Sequence, residues 1–185
     1  MLIRIFDISI SFFALLFLSP LIILIYCIVF FENKSPFFFQ ERVGKDIKKF
    51  NLIKFRTMLP GTNSCATHLV DPSRVTFTGN FLRKSKLDEI PQLWNVLIGE
   101  MSLVGPRPCL FTQIELIKKR KEYNLHKVKP GITGLAQIKG IDMSEPSNLV
   151  NTEHKMITNF NLVSYFIYIF LTLIGLGFGD RTNKK

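Results

Sequence analysis

From Ile8 to Phe31 the chain carries no charge, and Ser19-Pro20 falls near the middle of that run. As one helix the segment would rise about 36 Å, more than the roughly 30 Å hydrocarbon thickness of a bilayer. Proline withholds a backbone donor and collides with the preceding turn, so a bend is expected at position 20. Two arrangements satisfy this: a kinked spanning helix, or a re-entrant hairpin whose arms return to the same face. Arg4 precedes the run, and the segment from Lys34 to Arg56 carries seven Lys/Arg against two acids. Basic flanks favour the cytoplasmic side, and a single span cannot place both there. The charge pattern therefore favours the hairpin, with Ser19 and Pro20 as the membrane break. The run is about twice a signal-peptide core in length, and no small-x-small cleavage site precedes the charged part, so a retained element is expected.

The basic surplus extends to the whole chain. A net charge of +10 across 185 residues implies an anionic partner: phosphates, an acidic lipid surface or nucleic acid. Cys27, Cys65 and Cys109 form no CxxC pair or zinc spacing, which favours a reduced, cytosolic-side domain. His68, His126 and His154 are far apart, with no HxxxH or HExxH. The absence of GxSxG, P-loop and GxGxxG motifs argues against serine hydrolase, nucleoside triphosphatase and dinucleotide-binding readings. No nucleic-acid-binding motif is found.

After the apolar run, residues 36–40 and 50–55 read as short strands around a turn at Val43-Gly44-Lys45-Asp46. A loop is expected from Pro60 to about Thr78, then a helix from about Gly79 to Lys84. A second helix should begin within Ser85–Pro91. Gly105-Pro106-Arg107-Pro108 and the start of Lys129–Gly134 exclude regular structure. Residues 110–125 have helical periodicity, and their Lys118-Lys119-Arg120-Lys121 run reads as a solvated or lipid-facing surface. The uncharged stretch from Leu162 to Phe178 reads as a second membrane-embedded or interfacial helix, or as a buried apolar one. Asp180–Lys185 reads as a solvated tail.

Asp88-Glu89 is the pair with most chemical promise. Neighbouring side chains on a helix diverge by about 100°, so the two carboxylates cannot be equivalent. One can face a reacting phosphorus while the other reaches a cation such as Mg²⁺. The plainer reading makes them helix-start acids, with Ser85-x-x-Asp88 as a capping box. Arg83, Lys84 and Lys86 lie just upstream. Arg107, fixed between two prolines, is either a bidentate phosphate clamp or a surface arginine in a tight turn. Lys54 and Arg56 alternate with Ile53 and Phe55, so both should project from one strand face, as a phosphate rim or a solvated edge.

These segments together resemble the bacterial sugar transferases, the monotopic phosphoglycosyl transferases that start glycan assembly on polyprenyl phosphate. The resemblance rests on Phe38-Phe39-Gln40-Glu41-Arg42-Val43-Gly44, on Lys54-Phe55-Arg56-Thr57-Met58, and on the long block from Leu82 to Pro108, LRKSKLDEIPQLWNVLIGEMSLVGPRP. It continues in Lys129–Gln137, KPGITGLAQ, and begins at the N-terminal run with Ser19-Pro20. It implies a re-entrant helix, a UDP-sugar donor, a polyprenyl (undecaprenyl) phosphate acceptor and Mg²⁺. Asp88 becomes the nucleophile, forming a covalent phosphosugar intermediate with release of UMP. Glu89 becomes the Mg²⁺ ligand and Arg107 a phosphate contact; Arg83, Lys54 and Arg56 are further candidate phosphate contacts from their own charge and position. A carboxylate of ordinary pKa would already be ionised at neutral pH. The chain departs from the family near its end: Glu153 stands for a usual acid, while a second acid, expected near Tyr165, is missing.

The expectation is thus a mixed α/β, mainly helical, membrane-associated single domain. Residues 1–32 would form the re-entrant helix, 33–161 the cytoplasmic catalytic domain, and 162–185 an interfacial or embedded helix and tail. It would sit at the bacterial inner membrane, without nucleic acid, and with homodimerisation left open. The rival is a membrane-tethered, anionic-lipid-binding scaffold without catalysis.

Overall fold

A computed structural model describes residues 2–61 and 72–176. Cys65, His68, most of the expected 60–78 loop, the last residues of the 162–178 stretch and the 180–185 tail lie outside them.

The N-terminal run forms α1 (Leu2–Asn33), bent by 63° between Leu2–Phe17 and Ser19–Asn33. The bend has a local cause. Pro20 cannot donate to the Leu16 carbonyl, and the Ser19 hydroxyl donates to it instead, at 2.8 Å. No single described helix is long and apolar enough to cross a membrane; only the two bent arms taken together reach that length and apolarity. Both arms return to the same body. Ile3, Phe6 and Ile10 pack on the main core cluster, and Leu21, Ile22, Ile25 and Val29 pack around Phe55 and Leu82. The bend itself is uncovered: Phe17 is 84% exposed, with Phe13 and Leu16 beside it.

Two charges that the sequence presented only as flanks fasten the first arm. Arg4 donates to the carbonyls of Val96 and Leu97, at 2.6 and 2.9 Å, at the C-terminal end of α3 (Gln92–Ile98), where a cation suits the helix dipole. Buried Asp7 accepts from the Ser102 hydroxyl, the Leu103 amide and the Tyr165 hydroxyl, at 2.9–3.1 Å.

The strands expected on either side of the turn pair as an antiparallel hairpin, β1 (Phe37–Val43) with β2 (Lys49–Phe55), in the register Phe37 to Phe55 and Val43 to Lys49. A second, parallel pair joins β3 (Ser102–Val104) to β4 (Gly131–Thr133). Here the glycines of two motifs meet: a Cβ on Gly131 would lie 2.0 Å from the Gly105 nitrogen, so no side chain fits. The remaining helices are α2 (Phe77–Lys84), α4 (Ile114–Glu122), α5 (Leu135–Ile138), α6 (Pro146–Thr158) and α7 (Leu162–Leu173). Mainly helical, with short strands, they surround three apolar clusters.

One expectation is corrected, and one of the alternatives for the C-terminal helix is removed. Arg120, in the basic run read as a surface, is buried and paired with Glu153, because α4 packs that side against α6. The C-terminal apolar helix is not a buried one either. Tyr165 faces the core, while Val163, Phe166, Ile167, Phe170 and Leu173 lie exposed.

Candidate active site

No capping box forms at Ser85. That residue closes α2, its hydroxyl donating to the Phe81 and Leu82 carbonyls. The chain reverses through Lys86, in the left-handed region at φ 59°, and Leu87–Glu89 form a single 3₁₀ turn before α3. Asp88 and Glu89 are both buried in this turn rather than exposed at a helix start, so simple capping does not describe them.

Neighbouring elements bring the cations to them. Gly79 lets α2 lie directly on the chain after β2, where a Cβ would come within 2.1 Å of the Thr57 carbonyl. That contact places Arg83, whose Nε donates to Thr57 Oγ1 at 2.8 Å. The Arg83 Nη1 is buried and has no hydrogen-bond partner among the described residues. Asn95, fully buried on α3, accepts from the Ile53 amide and donates to the Asn51 carbonyl, fixing β2 against α3. β2 then delivers Lys54, and the loop after β3 delivers Arg107. Both donate to Glu89 Oε1, at 2.7 and 2.9 Å. Arg56 does not join them. Its guanidinium donates to the carbonyls of Ser35 and Phe37 and lies over the Phe38 ring, because the chain beyond Phe55 runs beside the segment leading into β1, where the Arg56 amide donates to the Pro36 carbonyl at 2.8 Å. Ser19 and Pro20 are at the α1 bend.

The two carboxyls are driven apart. Burial pushes Asp88 up to about 6; Lys54 opposes this, Glu89 adds to it, and Arg83 and Arg107 oppose it further. Its expected ordinary ionisation is thereby corrected: it remains mostly charged at neutral pH, but with a greater affinity for a new bonding partner. Burial also pushes Glu89 up, but Lys54 and Arg107 outweigh it and hold the group well below the usual carboxylate range. Adjacent carboxyls with divergent proton affinities are suited to different roles: Glu89 is held as an anion bonded to Lys54 and Arg107, while Asp88 binds a proton more readily.

Among the described residues no three His, Cys, Asp or Glu side chains cluster as a metal cage. Two adjacent carboxylates nevertheless fit Mg²⁺ in its usual mode, in which one or two protein oxygens supplement phosphate and water oxygens.

Several contributors lacked a readable motif of their own. Arg42, buried beside Arg107, donates to the Pro108 carbonyl, and burial followed by the Arg107 charge lowers it to about 10. Roles for Asn95 and Asp7, and the pairing of Arg120 with Glu153, were not foreseen either. The available signal for Asp7 was an acid opening an apolar helix, which must find partners.

Comparison with known proteins gives one direction. A family model described as bacterial sugar transferase matches residues 1–178. The uncharacterised sugar transferase EpsL of Bacillus subtilis is 45% identical over 138 residues, 74% of this chain and 68% of that one. The exopolysaccharide production protein ExoY of Sinorhizobium fredii is 36% identical over 188 residues, 92% of this chain and 83% of that one. The UDP-glucose:undecaprenyl-phosphate glucose-1-phosphate transferase of Klebsiella pneumoniae is 42% identical over 142 residues, 74% of this chain but 30% of that longer protein.

Proposed function

Because this chain belongs to the bacterial sugar transferase family, we propose that it transfers a sugar 1-phosphate from a UDP-sugar to undecaprenyl phosphate, releasing UMP. The observation that carries the reading is the carboxyl pair of opposite proton affinity, with Lys54, Arg83 and Arg107 around Asp88. A non-catalytic scaffold has no use for a buried, reactive carboxylate held among cations.

In the proposed first step an Asp88 carboxylate oxygen attacks the sugar-bearing β-phosphorus. The bond from that phosphorus to the bridging oxygen breaks, and UMP leaves with the electron pair. The product is a phosphosugar acyl phosphate on Asp88. An oxygen of the lipid phosphate then attacks the same phosphorus, and the aspartyl oxygen leaves as carboxylate. Both steps are displacements at phosphorus, so catalysis is chiefly positioning and charge stabilisation. Arg107 and Lys54, fixed on Glu89, would meet the diphosphate, and the buried Arg83 Nη1 would donate to a phosphate oxygen. Mg²⁺, held at Glu89 and Asp88 together with the phosphates, would offset charge on the departing UMP.

The fold supports a membrane placement for this reaction. Each arm of α1 is too short to cross a bilayer, both arms return to one body, and the apolar bend is uncovered. In this reading α1 enters one leaflet of the inner membrane from the cytoplasmic face. The exposed apolar face of α7 lies in the interface. A lipid phosphate thus meets a water-soluble donor at the surface where both are accessible.

The test is a panel of UDP-sugars with undecaprenyl phosphate, Mg²⁺ and purified protein, following UMP release and the mass of the Asp88 peptide. One sugar should support turnover, and omission of the lipid should leave a phosphosugar adduct on Asp88. UMP released without any adduct on rapid quenching would defeat the covalent mechanism. No release with any sugar would defeat the reaction.

A further inference from the structure

Five consecutive carbonyls around Arg107 are each claimed by a different residue. Gly105 accepts from Gln137 Nε2 at 3.3 Å, Pro106 from the Gly131 amide at 2.8 Å, and Arg107 from Arg120 Nη2 at 2.9 Å. Pro108 accepts from Arg42 Nη1 at 3.1 Å, and Cys109 from the Val43 amide at 2.9 Å. Pro106 and Pro108 have no N–H, so carbonyls are the main backbone handles by which this loop can be held. At Arg107 itself the handle is a buried guanidinium.

Arg120 is in turn set by Glu153. Its Nε donates to Oε2 at 2.9 Å and its Nη2 to Oε1 at 2.6 Å, with Glu153 only 1% exposed. The same Nη2 thus bridges a fixed carboxylate on α6 and the backbone of the loop. A buried ion pair is seldom the most stable filling for its site, since apolar residues of similar size often do as well or better. What it supplies is direction: a rigid planar fork whose second Nη2 proton points at one carbonyl.

We propose that Arg120, oriented by Glu153, is a positioning residue for Arg107, fixing the loop so that the Arg107 guanidinium reaches the phosphate site beside Glu89. This also gives Glu153, the acid at the divergent end of the chain, a role in the reaction although it does not touch substrate. The proposal rests on the reading that Arg107 contacts the donor diphosphate.

The experiment compares Arg107→Lys, the apolar pair Arg120→Met with Glu153→Leu, and all three substitutions combined. It measures kcat and KM for the UDP-sugar together with thermal unfolding. The apolar pair leaves no unpaired charge and should melt near or above the parent chain. Its kcat/KM should fall about 10- to 100-fold, the range for a displaced catalytic contact, chiefly as a rise in KM for the UDP-sugar. Arg107→Lys should fall at least as far, and the combination no further than Arg107→Lys alone, because both changes remove one interaction. If the apolar pair does not fold, Arg120→Lys, which retains the charge but not the fork, serves in its place. Arg107→Lys at parental activity would remove the underlying phosphate-contact reading, and the proposal with it. An impaired Arg107→Lys beside a fully active apolar pair, or losses that multiply in the combination, would overturn the positioning role alone.

Discussion

Replacing Asp88 by asparagine should abolish turnover and, at the same time, stabilise the fold. The carboxyl is ordinarily half-protonated at 3.8, and in the folded chain it is raised to about 6 by burial. A group raised on folding favours the folded state only while protonated. Its penalty is therefore absent below about 3.8, grows between there and 6, and is complete above. At about 1.4 kcal/mol for each tenfold change in proton affinity, ionised Asp88 costs the fold about 3 kcal/mol at pH 8 and less than about 1 kcal/mol at pH 4. Asparagine keeps the shape and never ionises. In a chain of this size about 3 kcal/mol corresponds to a rise of roughly 6–12 °C in Tm. The assay is thermal unfolding of both proteins in detergent or nanodiscs at pH 4, 6 and 8, with UMP release measured on the same samples. A gain in Tm that does not grow with pH would refute the account of a strained, buried nucleophile. Turnover by the Asp88→Asn protein would refute the chemistry.

Other outcomes follow from the same geometry. The pre-steady-state burst of UMP should rise with pH along a single-proton curve centred near 6, since only ionised Asp88 attacks; a flat profile from pH 5 to 8 would contradict the raised carboxyl. Lys54→Met should cut kcat/KM by about 10²-fold, by removing a cation bonded to Glu89 and close to Asp88, as followed by steady-state UMP release. Asp7→Ala would leave the Ser102 hydroxyl, Leu103 amide and Tyr165 hydroxyl without their acceptor, at a cost of about 3–5 kcal/mol in denaturant unfolding, against about 1 kcal/mol for Tyr165→Phe. Pro20→Ala restores a donor to the Leu16 carbonyl and should straighten α1. Cysteines introduced near Arg4 and Lys48, with Cys27 replaced, should label from one side in the parent and less uniformly in the variant.

Much of this protein was written in local sequence. An uncharged run interrupted by Ser19-Pro20 produces a bent helix whatever surrounds it, because a missing donor and a ring clash act over a single turn. The short strands on either side of Val43–Asp46 were legible because a turn is also a local signal, and the LRKSKLDEIPQLWNVLIGEMSLVGPRP block was specific enough to identify the family and the carboxyl pair. Tertiary structure decided what no local pattern encodes. Whether Asp88 capped a helix or lay buried among cations depended on α2, β2 and the Pro-Arg-Pro loop converging, and burial is a property of neighbours distant in sequence. Lys54 and Arg56 are both cationic and alternate along one extended stretch of sequence, so local pattern treats them alike. One reaches Glu89 and the other bonds to the Ser35 and Phe37 carbonyls, because the strand ends between them. The basic run at 118–121 looked uniform, yet packing of α4 on α6 turned Arg120 inward to Glu153. Periodicity can assign a side chain to a face; only the fold determines what that face meets, and it is that encounter which sets its charge state and its role.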